Sequence, residues 1–227
     1  MYNELGMIDE ARVRELLDPF GIEPSSGQVA QLLVYLDLLM RWNSKINLTA
    51  ICKPEECVTR HFGESLYLAA KVELEGSLLD IGSGCGFPGL ALKIPFPKLA
   101  VTLLEPSAKK RAFLKEVARA CDLTSVDVRP ERIESYPLIA VSPTHSHGPG
   151  RFDAITVRAV GGLRALVPAA VSHLKQEGRI FMWITKRQAA DLVESSGLIA
   201  WQDSWPIPLS TSREIWQGSP RSATAHR

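Results

Sequence analysis

The chain has 227 residues, 45% of them apolar, and carries 26 Lys and Arg against 25 Asp and Glu. That length supports one α/β domain with a smaller lobe around a real core, and the balanced charge excludes nucleic-acid binding through a strong overall field, leaving only local basic patches. The four cysteines, Cys52, Cys57, Cys85 and Cys121, form no C-x-x-C pair, which argues against a zinc site or a disulfide framework and for a reducing, cytoplasmic compartment.

From residue 1 to about 75 the pattern is helical: Val29, Leu32, Leu33, Leu36, Leu39 and Met40 recur at steps of three and four, and residues 55 to 71 resume it. Acids run through the first 17 residues and no apolar run reaches about 18, so neither a leader nor a membrane partner is expected. From residue 77 short β-rich runs alternate with helical ones: SLLDI, AVTLLE at 100 to 105, SVDVR at 125 to 129, FDAITV at 152 to 157, GRIFMWI at 178 to 184, LIAWQDS at 198 to 204, and REIWQ as a further candidate. Such alternation predicts a parallel sheet with helices on both faces. The Pro-, Ser-, His- and Gly-rich stretch 136 to 150 reads as a surface loop, and the polar end after 218 as a tail. The expected division is a helical lobe over 1–75, a Rossmann-like domain over 76–218 and a tail over 219–227.

LLDIGSGCGFPG, residues 78 to 89, runs from a buried strand into a glycine loop. Glycine at that density brings bare backbone close to a ligand. Gly84, Gly86 and Gly89 match G-x-G-x-x-G, the dinucleotide fingerprint, but the strand ends in Asp80, giving D-x-G-x-G-x-G. A carboxylate there repels a pyrophosphate and suits a ligand with cationic groups, such as S-adenosylmethionine. Glu105 closes the second strand, where an acid accepts both hydrogens of a ribose diol in either ligand class. Pro88 suits the first turn of the following helix.

D-x-G-x-G-x-G followed by an acid at the next strand end resembles the class I S-adenosylmethionine-dependent methyltransferases. Within them the chain resembles the bacterial 16S rRNA guanine-N7 methyltransferase family known as RsmG or GidB. The resemblance rests on Trp42-Asn43 with Asn47-Leu48-Thr49, Arg60-His61, DIGSGCGFPGLALKI, Leu104-Glu105, Glu131-Arg132-Ile133-Glu134, and Phe152-Asp153 with Val157-Arg158-Ala159. It implies a Rossmann-like class I methyltransferase fold with an N-terminal helical lobe. It also implies that Asp80, Gly82, Gly84, Gly86 and Phe87 line the cofactor, that Glu105 holds its ribose, that Ile133 and Glu134 flank the adenine, and that Arg158 stands beside cofactor and substrate as a positioning residue. The family carries a Lys-Gly pair after the fifth strand. This chain reads Trp183-Ile184-Thr185-Lys186 there, so Lys186 is the candidate substitute.

The expected reaction is methyl transfer to N7 of a guanine in the 530 loop of 16S rRNA, free or in the small ribosomal subunit, by a monomer. In-line displacement at a sulfonium mainly requires positioning. Guanine N7 has a lone pair and no proton to lose, so no general base is needed. No Asn/Asp-Pro-Pro-aromatic run follows the fourth strand, and no Pro-Cys pair exists in the chain. Arg158 is expected to hydrogen-bond guanine O6 or a phosphate. Lys109, Lys110 and Arg111, with Lys115 and Arg119 on the same helix and Arg41, Lys45, Lys53 and Arg60 on the lobe, are the cations available to RNA, with His61 as a further candidate contact. Exposed charge is the ordinary state of any single lysine. His145 and His147 lack neighbouring Cys, Asp or Glu, so no metal is expected. Methyl transfer to another RNA or to a small molecule, a nicotinamide-dependent reaction and non-catalytic cofactor binding are the alternatives.

Overall fold

The computed structural model describes residues 8–138, 151–195 and 197–221. His145, His147 and residues 222–227 of the expected tail lie outside these residues, while the first two residues of that tail, Ser219 and Pro220, belong to the last strand of the sheet rather than to a tail. Among those described, seven strands form one sheet in the order β3-β2-β1-β4-β5-β7-β6. They are β1 (Ser77–Ile81), β2 (Ala100–Leu104), β3 (Val126–Arg129), β4 (Phe152–Arg158), β5 (Leu174–Thr185), β6 (Ile199–Pro206) and β7 (Arg213–Pro220). The β1–β5 pairings are parallel, while β7 runs antiparallel to both β5 and β6. The strand order reverses between β1 and β4, and a doubly wound sheet opens its ligand crevice at that switch, beyond the carboxyl ends of the strands.

The period of two sorts each strand between two cores. Leu78, Val101, Leu103 and Phe181 face one apolar cluster, and Leu79, Ile81, Ile155 and Ile180 face the other. The second is covered by α7 (Leu163–Ser172) and α8 (Lys186–Ser195). Against the first pack α5 (Gly89–Leu92), α6 (Ala108–Ala120) and the N-terminal helices. Val13, Leu17, Leu32 and Leu39 share this cluster with the sheet, so the helical segment forms part of one layer over the same core.

Helix α1 (Glu10–Leu17) starts at Asp9, whose carboxylate accepts the Arg12 N–H. Helix α2 (Ser26–Ile46) starts with a reciprocal capping box between Ser25 and Gln28 and ends at Asn47, which takes a left-handed φ of 50°. The second helical run is broken where the sequence pattern is continuous. It proceeds as α3 (Pro54–Cys57), a π turn (Val58–Gly63), α4 (Glu64–Leu66) and a 3-10 turn (Tyr67–Ala70). At the break the Glu64 N–H reaches back to the carbonyls of His61 and Thr59, and one tertiary contact meets the turn, where the Arg60 carbonyl is taken by Arg158 from the sheet. Pro88 also departs from expectation, because it precedes α5 as its N-cap and Gly89 opens the helix.

The lobe grips the glycine loop directly. Tyr35 of α2, fully buried, donates its hydroxyl hydrogen to the Cys85 carbonyl at 2.5 Å. The Phe87 ring stacks between Tyr35 and His61, with centroids 5.3 and 4.7 Å away and planes within 11° and 8° of parallel. Gly86 has a φ of 94°, and a Cβ there would collide with the Tyr35 hydroxyl. Gly86→Ala is therefore expected to lower unfolding free energy by at least about 2 kcal/mol in urea titrations. Gly161→Ala, where a Cβ meets open space, should stay within about 0.5 kcal/mol of the parent.

Candidate active site

Leaving β1, the chain turns at Gly82, whose φ of 71° and close approach to Val160 admit no side chain without strain. The loop that follows forms one wall of a cavity of about 440 Å³ at the carboxyl ends of β1, β2, β4 and β5, within the range of small-molecule sites. Glu105, the residue after β2, is buried yet lines this cavity. Its two carboxylate oxygens accept the Gly84 N–H at 2.9 Å and the Ser107 N–H at 2.7 Å. Two main-chain donors thus fix the acceptor, and each oxygen retains a further lone pair.

Asp80 lies beneath the loop, 1% exposed, and does not line the cavity. Its Oδ1 accepts the Thr156 hydroxyl hydrogen at 2.7 Å, and its Oδ2 is buried with no hydrogen-bond partner. Burial pushes the carboxyl up to about 6, against the opposing pull of the Thr156 hydroxyl.

The opposite wall comes from the helical lobe, and the W-N-x-x-x-N-L-T element builds it. Trp42 packs on Phe113 and donates to Glu116. Asn43 accepts the Thr49 N–H at 2.8 Å, which folds the chain after α2 back over the helix end. Thr49 accepts the Ile51 N–H and lies 2.9 Å from His61 Nε2. The other ring nitrogen of His61, Nδ1, is buried without a partner. Desolvation, then the charges of Arg158, Arg60 and Arg213, push His61 down to about 3, so it is neutral at physiological pH and a poor proton acceptor.

Arg158 ends β4 and lines the cavity, but both of its Nη groups are committed inside the fold. They donate to Ser65 Oγ and the His61 carbonyl, and to Glu64 and the Arg60 carbonyl. Burial lowers its pKa, opposed first by the Glu64 carboxylate. The next residue, Ala159, adopts a φ of 55°, a strained turn at the cavity edge.

Of the expected site residues, Gly82, Gly84, Phe87, Glu105, Lys110, His61 and Arg158 meet at this cavity. Gly86 lies below it against Tyr35, and Ile133 and Glu134 occupy a 3-10 turn that does not line it. Lys109 is exposed, Arg111 donates to the carbonyls of Glu105 and Pro106, and Lys186 pairs with Glu214 at 3.4 Å, all outside the lining. Sequence reasoning passed over Thr49, Glu64 and Arg213 as site residues. Thr49 stood inside a quoted motif, whereas nothing local marks Glu64 or Arg213. Among the described residues no group of three or more His, Cys, Asp and Glu could hold a metal ion, and no helix is long and apolar enough to cross a membrane.

Residues 28–207 match the GidB family, described as rRNA small subunit methyltransferase G. The chain belongs to this family. A ribosomal RNA small subunit methyltransferase G of Chloroflexus aggregans is 41% identical over 167 residues, 73% of this chain and 68% of that protein. The namesake from Alkaliphilus metalliredigens is 39% identical over 70% of this chain and 64% of its own length. That from Sorangium cellulosum is 37% identical over 83% and 77%. The chain thus aligns with about two thirds to three quarters of these relatives. Solved structures share its fold at low identity. A chain of a fibrillarin/Nop5p complex superposes with a TM-score of 0.55 at 16% identity, over 70% of this chain and 82% of that one. A glycopeptide N-methyltransferase complexed with sinefungin gives 0.57 at 11%, over 71% and 87%. The chain therefore has a class I methyltransferase fold.

The buried Asp80 carboxyl predicts a signature in stability. Its folded pKa of about 6 lies above the reference value of 3.8, so its contribution is present below pH 4 and is lost as pH rises through 6. Asp80→Asn removes this titration. The stability difference between Asp80→Asn and the parent should shift in favour of the variant by on the order of 2 kcal/mol between pH 4 and 7.5, read from urea midpoints at each pH.

Proposed function

We propose that this chain transfers the methyl group of S-adenosylmethionine to N7 of a guanine in the 530 loop of 16S rRNA, free or within the small ribosomal subunit, in the cytoplasm. The observation that carries the reading is one cavity with the glycine loop and Glu105 on one side and the lobe's Thr49 and His61 on the other, the His61 ring held neutral by its surroundings. The family membership supports the same reaction.

The residues fit the cofactor. Gly82 and Gly84 offer bare backbone to the cavity, and Glu105 offers preset acceptors to a ribose diol. Beneath the loop the Asp80 carboxylate, ionised above pH 6, places negative charge near the cavity, which favours a ligand that carries cationic groups. S-adenosylmethionine supplies an electrophilic methyl when bound. The protein's part is to hold the acceptor nitrogen in line and to exclude water. N7 loses no proton, so a neutral His61 already held by Thr49 is no handicap. Lys110, at the cavity, is the α6 cation best placed to meet RNA, with Lys109 exposed beside it on the helix's first turn.

Methyl transfer from labelled cofactor to rRNA, offered naked and as subunits lacking the modification, tests the proposal. Strand scission at 7-methylguanine should map one labelled guanine to the 530 loop. No label on either form would overturn the reading. Glu105→Ala should weaken S-adenosylmethionine binding about 10- to 100-fold in calorimetric titration, the worth of a hydrogen-bonded charged acceptor.

A further inference from the structure

Glu64 lies where the lobe meets the sheet. It is 3% exposed, on α4 immediately after the π turn. One carboxylate oxygen accepts from Arg158 Nη2 at 2.9 Å and the other from Arg213 Nη2 at 2.6 Å. Its carbonyl accepts the Trp183 indole N–H at 2.7 Å. Side chains from the ends of β4 and β5 and from the start of β7 therefore converge on one residue of the lobe.

The two arginines are left in different states. Arg158 is 10% exposed in its side chain, and its Nη donors point at Glu64, Ser65 and the carbonyls of the π turn. Arg213 is 31% exposed, lines the cavity and is tethered by Glu64 and, more loosely, by Ser210 at 3.4 Å. Its Nη1 has no protein partner among the described residues. One carboxylate against two guanidiniums also leaves an excess positive charge at the cavity, on the side of the more exposed arginine.

We propose that Glu64 is the positioning residue of this site, holding Arg158 inside the fold as the tie between lobe and sheet and presenting Arg213 to an acceptor oxygen of the RNA nucleotide that enters the cavity. The assignment rests on the proposed rRNA substrate and moves the RNA contact from Arg158 to Arg213. The acceptor is an oxygen with full or partial negative charge, either a phosphate oxygen or guanine O6. Both match an open guanidinium edge. The carboxylate acts through geometry: a planar fork clamped at one Nη group keeps the other aimed.

The test measures RNA affinity apart from transfer, using a labelled rRNA fragment that contains the 530 loop, with cofactor binding followed in parallel. Arg213→Gln, at a partly exposed position, should retain the parent's thermal midpoint and cofactor affinity while weakening fragment binding about 10-fold or more. A phosphate contact would also reduce the slope of log affinity against log salt by about one unit, whereas an O6 contact would leave that slope intact. Glu64→Gln should raise the KM for RNA and lower kcat, and Glu64→Asp should recover part of both, which a purely structural loss would not do. Unchanged fragment affinity in Arg213→Gln, or parent-like kinetics in Glu64→Gln, would overturn the inference. Failure of the parent protein itself to bind the fragment would instead overturn the proposed substrate.

Discussion

The ring of Phe87 lies between Tyr35 and His61, and the site depends on that stack. A glycine loop is conformationally free in isolation, and its backbone must be held by something outside itself. Here the restraint comes from the helical lobe: Tyr35 fixes the Cys85 carbonyl, its ring presses on Phe87, and Phe62 closes the cluster edge-on to both. The lobe and the loop therefore have one packing solution in common. That explains why the N-terminal helices and the first sheet face share a single apolar cluster. It also places His61 at the junction, with one face on the loop residue and one nitrogen on Thr49.

Charge burial supplies the second tie across the cavity. A carboxylate taken out of water is costly unless paired and hydrogen-bonded, and Glu64 is both, with two guanidiniums and no unsatisfied oxygen. Removing Glu64 would leave two facing guanidiniums without their shared counter-charge, so the clasp favours one relative position of lobe and sheet. The π turn belongs to the same device. The carbonyls of Arg60 and His61 within this turn accept the Arg158 donors, so the irregular helix and the buried arginine meet at the same residues.

How much of this was legible in the sequence follows from the range of the interactions. The strands were readable because each is a short apolar run whose period is local, and REIWQ, the weakest candidate, extends in the structure to the eight-residue β7. The glycine loop and Glu105 were readable because backbone conformation and a strand-end acid leave marks at fixed spacing. Tyr35 was not, since a hydroxyl on an apolar helical stripe looks like any core aromatic until its partner, 50 residues away, is known. Glu64 and Arg213 are 149 residues apart, and no local pattern links them. Arg158 could be placed at the end of its strand. The direction of its guanidinium depended on a π turn that periodicity renders as ordinary helix.

Where the fold tolerates unsatisfied groups says what the cavity is for. Three buried side-chain polar atoms lack partners among the described residues, and two of them, Asp80 Oδ2 and His61 Nδ1, lie under or beside the cavity. The third, Trp201 Nε1, sits on β6 away from it. Each such atom costs roughly 1–3 kcal/mol, offset by the apolar clusters on both sheet faces. At Asp80 burial raises the carboxyl to about 6, so it still carries negative charge at neutral pH beneath a loop whose backbone faces the cavity. At His61 it keeps an imidazole neutral among three arginines, where a protonated ring would repel them and disturb the Phe87 stack. A site built this way provides fixed charge and fixed backbone, and its His61 is a poor proton acceptor. That combination suits a reaction whose barrier is met by alignment, and transfer of a methyl group to an unprotonated ring nitrogen is such a reaction.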